Sequence, residues 1–151
     1  MTIARTDKAE IADEMLDAAI EQFFEGRYFA ALNLSGVAQE IYGKLVRLAG
    51  LQDQIQETIH FANEIAKLQG GPEVTVKEWK KIAGEQKNGI KHFDSETDRY
   101  IDMDAQDEAR SMIGDAVSEK DKLGRANTKN TDRFYEFARV WSVKNVHIRE
   151  S

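Results

Sequence analysis

No cysteine occurs in this chain. That excludes a disulfide framework, a thiolate zinc site and a cysteine nucleophile together, and it fits a reducing cytoplasm. Nowhere do about 18 apolar residues follow one another, so no membrane-spanning helix is expected. The opening "MTIARTDKAEIADEM" turns polar too soon for a secretory signal core, which again points to the cytoplasm. Basic charge is not in excess either: 21 Lys and Arg face 27 Asp and Glu, a net charge of −6. Strong nonspecific nucleic-acid binding rests on a basic surface that neutralises phosphates, so only a local basic patch is left for that role. There is one proline, and no segment alternates apolar and polar residues in a Val-, Ile- and Thr-rich run, so no strand is expected.

What remains is helix. Between Asp7 and Glu25, residues Ile11, Met15, Leu16, Ala19, Ile20, Phe23 and Phe24 recur at three- and four-residue spacing, and Asp7 with Glu10 forms a cap pair. A second helix is predicted over 28–49, with the stripe Leu34, Ala38, Ile41, Leu45 and Leu48 between stops at Gly26 and Gly50. The third, over 52–68, carries Ile55, Ile59, Ala62, Ile65 and Leu68 and ends at Gly70-Gly71-Pro72. Thr75 and Glu78 have capping-box spacing, which predicts a short helix from Val76 towards Ala83, followed by a loop. Asp104 caps a further helix to about Leu123, stopped by Gly124, and Phe134, Phe137, Ala138 and Trp141 mark a last one. The expected fold is one all-α domain over residues 1–151, an antiparallel bundle of four main helices with one or two short additional ones.

The predicted loop is charged unevenly. Residues 77–92 hold five lysines against two glutamates, while 94–108 hold seven acidic residues against Arg99. Lys87, Lys91 and His92 therefore form a basic cluster just before an acidic run. Such a cluster beside a histidine suits phosphate and proton transfer near neutral pH. The same residues equally describe a solvated helix with a histidine that packs or caps locally.

The six residues Lys87-Asn88-Gly89-Ile90-Lys91-His92 resemble the Arg-x4-6-His motif of the HEPN (higher eukaryotes and prokaryotes nucleotide-binding) superfamily, often written Arg-Asn-x-x-x-His at the start of a late helix. The order of helices over about residues 7–123 is similar too. The resemblance implies a helical bundle that commonly dimerises and often cleaves RNA without metal. In that scheme His92 transfers the proton, Lys87 occupies the arginine position and Asn88 orients the site, with Lys91 binding substrate. Lysine is a point charge where arginine offers a planar fork, so the exchange at Lys87 is not conservative. Two expectations stand side by side: an RNA- or nucleotide-binding protein, as a metal-independent endoribonuclease in its catalytic form, or a noncatalytic homodimer that docks an antitoxin or nucleotidyltransferase partner. No cofactor is expected.

Other constellations are thinner. Gly36, Glu40 and Gly43 share one face of the second helix. Two mid-helix glycines cost about 1 kcal/mol each relative to alanine, which suggests close approach by a helix or ligand. Glu40 is then a half-buried substrate-binding residue, or else one end of an exposed pair with Lys44. Glu57-x-x-His60 is half of a ferritin-like carboxylate motif, but such sites need two, so no metal site is expected. The aromatic residues Phe134, Tyr135, Phe137 and Trp141 read as core packing or an interaction surface.

Overall fold

The helices begin where the sequence offers a side chain to accept their first free N–H groups. The computed structural model describes residues 1–149, apart from the side chains at 83, 86, 87 and 146–149. Helix α1 (Lys8–Phe24) starts at Asp7, whose carboxylate accepts the Ala9 N–H at 2.9 Å. After the turn at Gly26 comes α2 (Tyr28–Leu48). Asp53 and Gln56 form a reciprocal capping box for α3 (Gln54–Gln69), which ends in Gly70 at φ 69°, a left-handed conformation that glycine adopts without strain. The predicted Thr75–Glu78 box opens α4 (Val76–Gly89). A 3₁₀ turn spans Glu96–Arg99, Asp104 caps α5 (Ala105–Lys122), and α6 (Lys129–Arg149) completes an all-helical chain. Among the described residues there is no strand, and none of the helices is long and apolar enough to cross a membrane.

Helix α4 runs six residues beyond the predicted Ala83, because Glu85, Gln86 and Lys87 are good helix formers that outweigh Gly84. The Lys87–His92 stretch therefore lies across the C-terminal end of α4 rather than in an open loop or at a helix start. Its glycine has a packing reason: a Cβ on Gly89 would come within 2.8 Å of the Ile101 side chain.

One core joins four helices. Leu16, Ile20 and Phe23 of α1, Leu32 and Tyr42 of α2, Ile113 and Val117 of α5, and Phe134 of α6 bury against one another. Each such large side chain contributes roughly 1.5–3 kcal/mol of transfer free energy. Helix α2 sits between α1 and α5 and buries Ala31, Leu32, Ser35, Gly36, Ala38, Gln39, Tyr42, Gly43 and Val46. This face differs from the expected stripe. Leu34, Ile41 and Leu45 are only half-buried and Leu48 is 84% exposed, because a helix covered on two sides turns its small and amphipathic residues inward. Helix α3 also departs from expectation. Only Ile59 of its stripe is buried, while Ile65 and Leu68 are exposed. The α3–α4 hairpin thus stands beside the bundle, and Asn63 fastens its turn through bonds of 2.9 and 2.8 Å to the Val74 backbone.

Candidate functional site

A cleft of about 560 Å³ opens where the hairpin leans against the bundle. Its walls come from α2 (Glu40, Gly43, Lys44, Arg47), α3 (Gln54, Thr58), α4 (Trp79, Lys80, Asn88) and α5 (Glu108, Ser111, Asp115). Polar bonds from the end of α5 hold the start of α3 in place. Buried Glu119 accepts the Gln54 N–H at 2.6 Å, Ser118 donates to the Gln54 side chain at 2.9 Å, and Lys122 pairs with Glu57 at 2.8 Å. Arg47 pairs with the fully buried Asp53, the same residue that caps α3. The single proposed half of a metal motif is thereby explained: Glu57 serves Lys122, His60 is exposed, and no group of ligands for a metal occurs among the described residues.

Asp115 of α5 lines this cleft, and Glu119 follows one turn later on the same helix. Glu119 is fully buried, and its Oε2 has no hydrogen-bond partner. Burial raises its pKa above the ordinary range, against the opposing bond from the Gln54 N–H. Asp115 is pushed up to about 6, first by burial and then by the neighbouring Glu119 charge. A carboxyl whose folded pKa lies above its ordinary 3.8 contributes stability that is full below that value and is lost as pH rises through about 6. Asp115→Asn is therefore expected to stabilise the fold by about 1–3 kcal/mol at pH 8 and not at pH 3.5, in thermal melts at both values.

The expected site residues do not gather in one place. Asn88 and Glu40 line the cleft together, although Glu40 is exposed rather than half-buried, since α2 presents it on its outer edge. Lys91 and His92 line a second groove of about 560 Å³ with Phe29, Asn33, Arg99 and Ile101. Both are exposed, and their backbone N–H groups donate to the Asn88 carbonyl at 3.0 and 3.2 Å. The side chain of Lys87, like that of His147, lies outside the described residues. Gly43 does border a close approach, but a methyl there would make ordinary contacts of 3.5–3.7 Å with Gln39, Arg47 and Glu119. Gly43→Ala should accordingly raise stability by up to about 1 kcal/mol, read from the urea midpoint.

Sequence reasoning missed Trp79 as a wall, Arg47, Lys80, and above all Asp115 and Glu119. The signal was present in α5, where Asp115 and Glu119 flank the apolar Ala116 and Val117 at four-residue spacing. The aromatic residues of α6 divide. Phe134 and Phe137 pack on Phe23, while Trp141 lies under the Arg110 guanidinium at 3.7 Å, and Tyr135 donates to Asp121 at the surface. No family model matches the chain, and no curated protein or solved structure matches it either.

Proposed function

We propose that the chain binds a nucleotide unit, free or within single-stranded RNA, in the cleft between α2, α3, α4 and α5. The observation that carries this is the lining itself. Lys44, Arg47 and Lys80 stand in one cavity with Trp79, Asn88 and the acceptors Glu108 and Asp115. Three cations among acidic neighbours suit a ligand that carries both a phosphate and N–H donors, and an aromatic wall suits a base plane. A polyanion alone would meet Glu40, Glu108 and Asp115 as repulsion. The HEPN resemblance supports the same ligand class, and the groove with Lys91, His92 and Arg99 at the end of α4 gives a strand a second place to run.

The test is fluorescence anisotropy with a labelled mixed-sequence RNA in chelator. Binding is expected to weaken about tenfold in Lys44→Ala/Lys80→Ala, and the salt slope to fall by roughly 0.7 for each lost phosphate contact. An affinity unchanged in that double variant would sink the proposal. Cleavage is read from the same mixture: metal-free products that vanish in His92→Ala identify the nuclease form and its proton-transfer residue, while intact RNA with both proteins leaves the binding form.

A second reading, a noncatalytic homodimer that docks a further partner, is favoured by one surface. Phe61, Ile65 and Leu68 are 68%, 38% and 89% exposed, and their offsets of four and seven place them on one side of α3. A second copy laid antiparallel on this face would bring Phe61 against Ile65 in an isologous contact. Light scattering of Phe61→Glu checks it, with a dimer expected for the parent and a monomer for the variant.

A further inference from the structure

Resting on the nucleotide reading, we infer that the α5 wall makes the cleft selective for guanine, with the Asp115 carboxylate accepting the N1–H and N2–H pair of the base. Glu108, Ser111 and Asp115 fall at offsets of three and seven on α5, hence on one helix face, and all three line the cleft. No protein donor among the described residues hydrogen-bonds to any of these three side chains, although Asp115 and Glu108 are both more than half buried. Their oxygens are not enclosed and remain open to the cleft, where a ligand N–H can take the place of water.

A second observation points the same way. Glu119, one turn beyond Asp115, is fully buried with an unpartnered Oε2, while its other oxygen, which accepts the Gln54 N–H, lies 3.7 Å from where a methyl on Gly43 of the cleft wall would sit. The α5 side of the cleft thus carries two carboxylate acceptors, Glu108 and Asp115, and one hydroxyl, Ser111. The cations of the cleft do not compensate it. The charges acting on Asp115 are Glu119, Lys122 and Arg110, all on α5, and Lys44, Arg47 and Lys80 are not among them. Lys44 and Lys80 are left for the phosphate, since Arg47 is already paired with Asp53.

Base chemistry then chooses the occupant. Guanine alone among the RNA bases presents two adjacent N–H donors on its Watson–Crick edge, matching the two oxygens of one carboxylate. Adenine and cytosine place an acceptor nitrogen beside their amino group, and uracil sets its single N–H between two carbonyls, so each would meet Asp115 with repulsion. Ser111 offers a hydroxyl donor for the neighbouring O6 of guanine. Sites that bind through buried polar groups reject the analogue lacking a partner, because their own groups are then left unpaired.

The experiment is calorimetric titration of the full chain and of Asp115→Asn with the 5′-monophosphates of guanosine, inosine, adenosine and uridine. The guanosine nucleotide is expected to bind about tenfold or more tightly than the others, inosine included because it lacks only the N2 amine. In Asp115→Asn, which keeps the side-chain shape, guanosine affinity should fall about tenfold while adenosine affinity rises, since the amide offers the donor and acceptor that adenine's edge pairs with. Equal affinities for all four in the parent, or equal weakening of all four in the variant, would overturn the selectivity. Binding of none would overturn the nucleotide reading beneath it.

Discussion

Replacing Asp13 by alanine is expected to cost about 3–5 kcal/mol of folding stability. Asp13 is the shared partner of three groups from three parts of the chain. Arg125 donates to its oxygens at 3.1 and 2.6 Å, the Tyr42 hydroxyl donates at 2.5 Å, and the Lys120 ammonium lies 3.8 Å away. Tyr42 is fully buried and Lys120 is 1% exposed, so neither can turn to water when the carboxylate is removed. The penalty comes mainly from leaving the lysine charge inside without its counter-ion. That cause is separable: Asp13→Ala/Lys120→Met should recover much of the loss, since an apolar side chain of similar length needs no partner. A double variant as unstable as Asp13→Ala alone would contradict it.

The pH dependence of that loss has a fixed sign. Burial by itself would raise the Asp13 pKa, but the bonds from Arg125 and Tyr42 and the charge of Lys120 outweigh it and hold the carboxyl below its ordinary value. A depressed carboxyl contributes stability that is full above the ordinary value of 3.8 and fades as pH falls through the lower folded value. The gap between parent and Asp13→Ala should therefore be wide at pH 7 and narrow in the acid limb, as urea titrations across that range would record. For Tyr42, burial and the adjacent carboxylate push the hydroxyl far above its ordinary range, so it stays protonated as the donor throughout.

Phe23→Ala is expected to lose about 3–5 kcal/mol and to loosen α6 from the bundle. The ring is 3% exposed and makes edge-on contacts with Phe24, Tyr28, Phe134 and Phe137 at centroid distances of 5.5, 5.5, 6.2 and 5.2 Å. Such aromatic pairs add about 0.5–1.5 kcal/mol beyond the area they bury. Two of the four partners belong to α6, whose other ties to α1 are the Phe24–Phe137 pair at 5.7 Å, Arg133 over the Phe24 ring, and polar bonds in which Asn130 and the preceding Thr128 reach Asp17 and Glu21 at 2.7–3.1 Å. Loss of the ring should leave those polar bonds and the Phe24 contacts while removing the larger part of the apolar seam. A lowered urea midpoint together with faster proteolysis within α6 is the expected outcome, and Phe23→Leu should show a smaller version. An unchanged midpoint would mean that α6 is held without the aromatic seam.

How far the sequence reached depends on the range of the interaction involved. Helix starts at Asp7, Thr75 and Asp104 were legible because a cap acts over three residues. Stops at Gly26, Gly50, Gly70 and Gly124 were legible because all four take positive φ. The inward face of α2 was not. Leu34, Ala38, Ile41, Leu45 and Leu48 are the most apolar stripe by spacing, yet which face turns inward depends on α1 and α5 packing on two sides. Small and amphipathic residues such as Ser35 and Gly36 fill such a crowded position better than leucine does.

The candidate site divides along the same line. A basic cluster with one histidine was visible between 87 and 92, but the sequence shows it as a single stretch. The end of α4 sends Asn88 into one cavity and Lys91 and His92 into another. Asp115 and Glu119 look like ordinary charged positions of a helix in "GDAVSEK". Their raised pKa values arise first from burial, and for Asp115 next from the Glu119 charge one turn away; the spacing is local, but the burial is set by how the helices pack.

By itself, then, the sequence determined an all-helical chain without disulfides, its helix boundaries to within a turn at most ends, and the lack of a long apolar run. Periodicity, caps and composition are local properties, and they survive without knowledge of neighbours. Only the tertiary structure decided that α3 and α4 form a hairpin beside the core, that a cleft opens between them and α2 and α5, and which carboxylates lie within it. Those features depend on which surfaces meet across 60 or more residues of chain, as in the bond from Gln54 to Glu119. Contacts of that separation are set by the joint packing of all the helices.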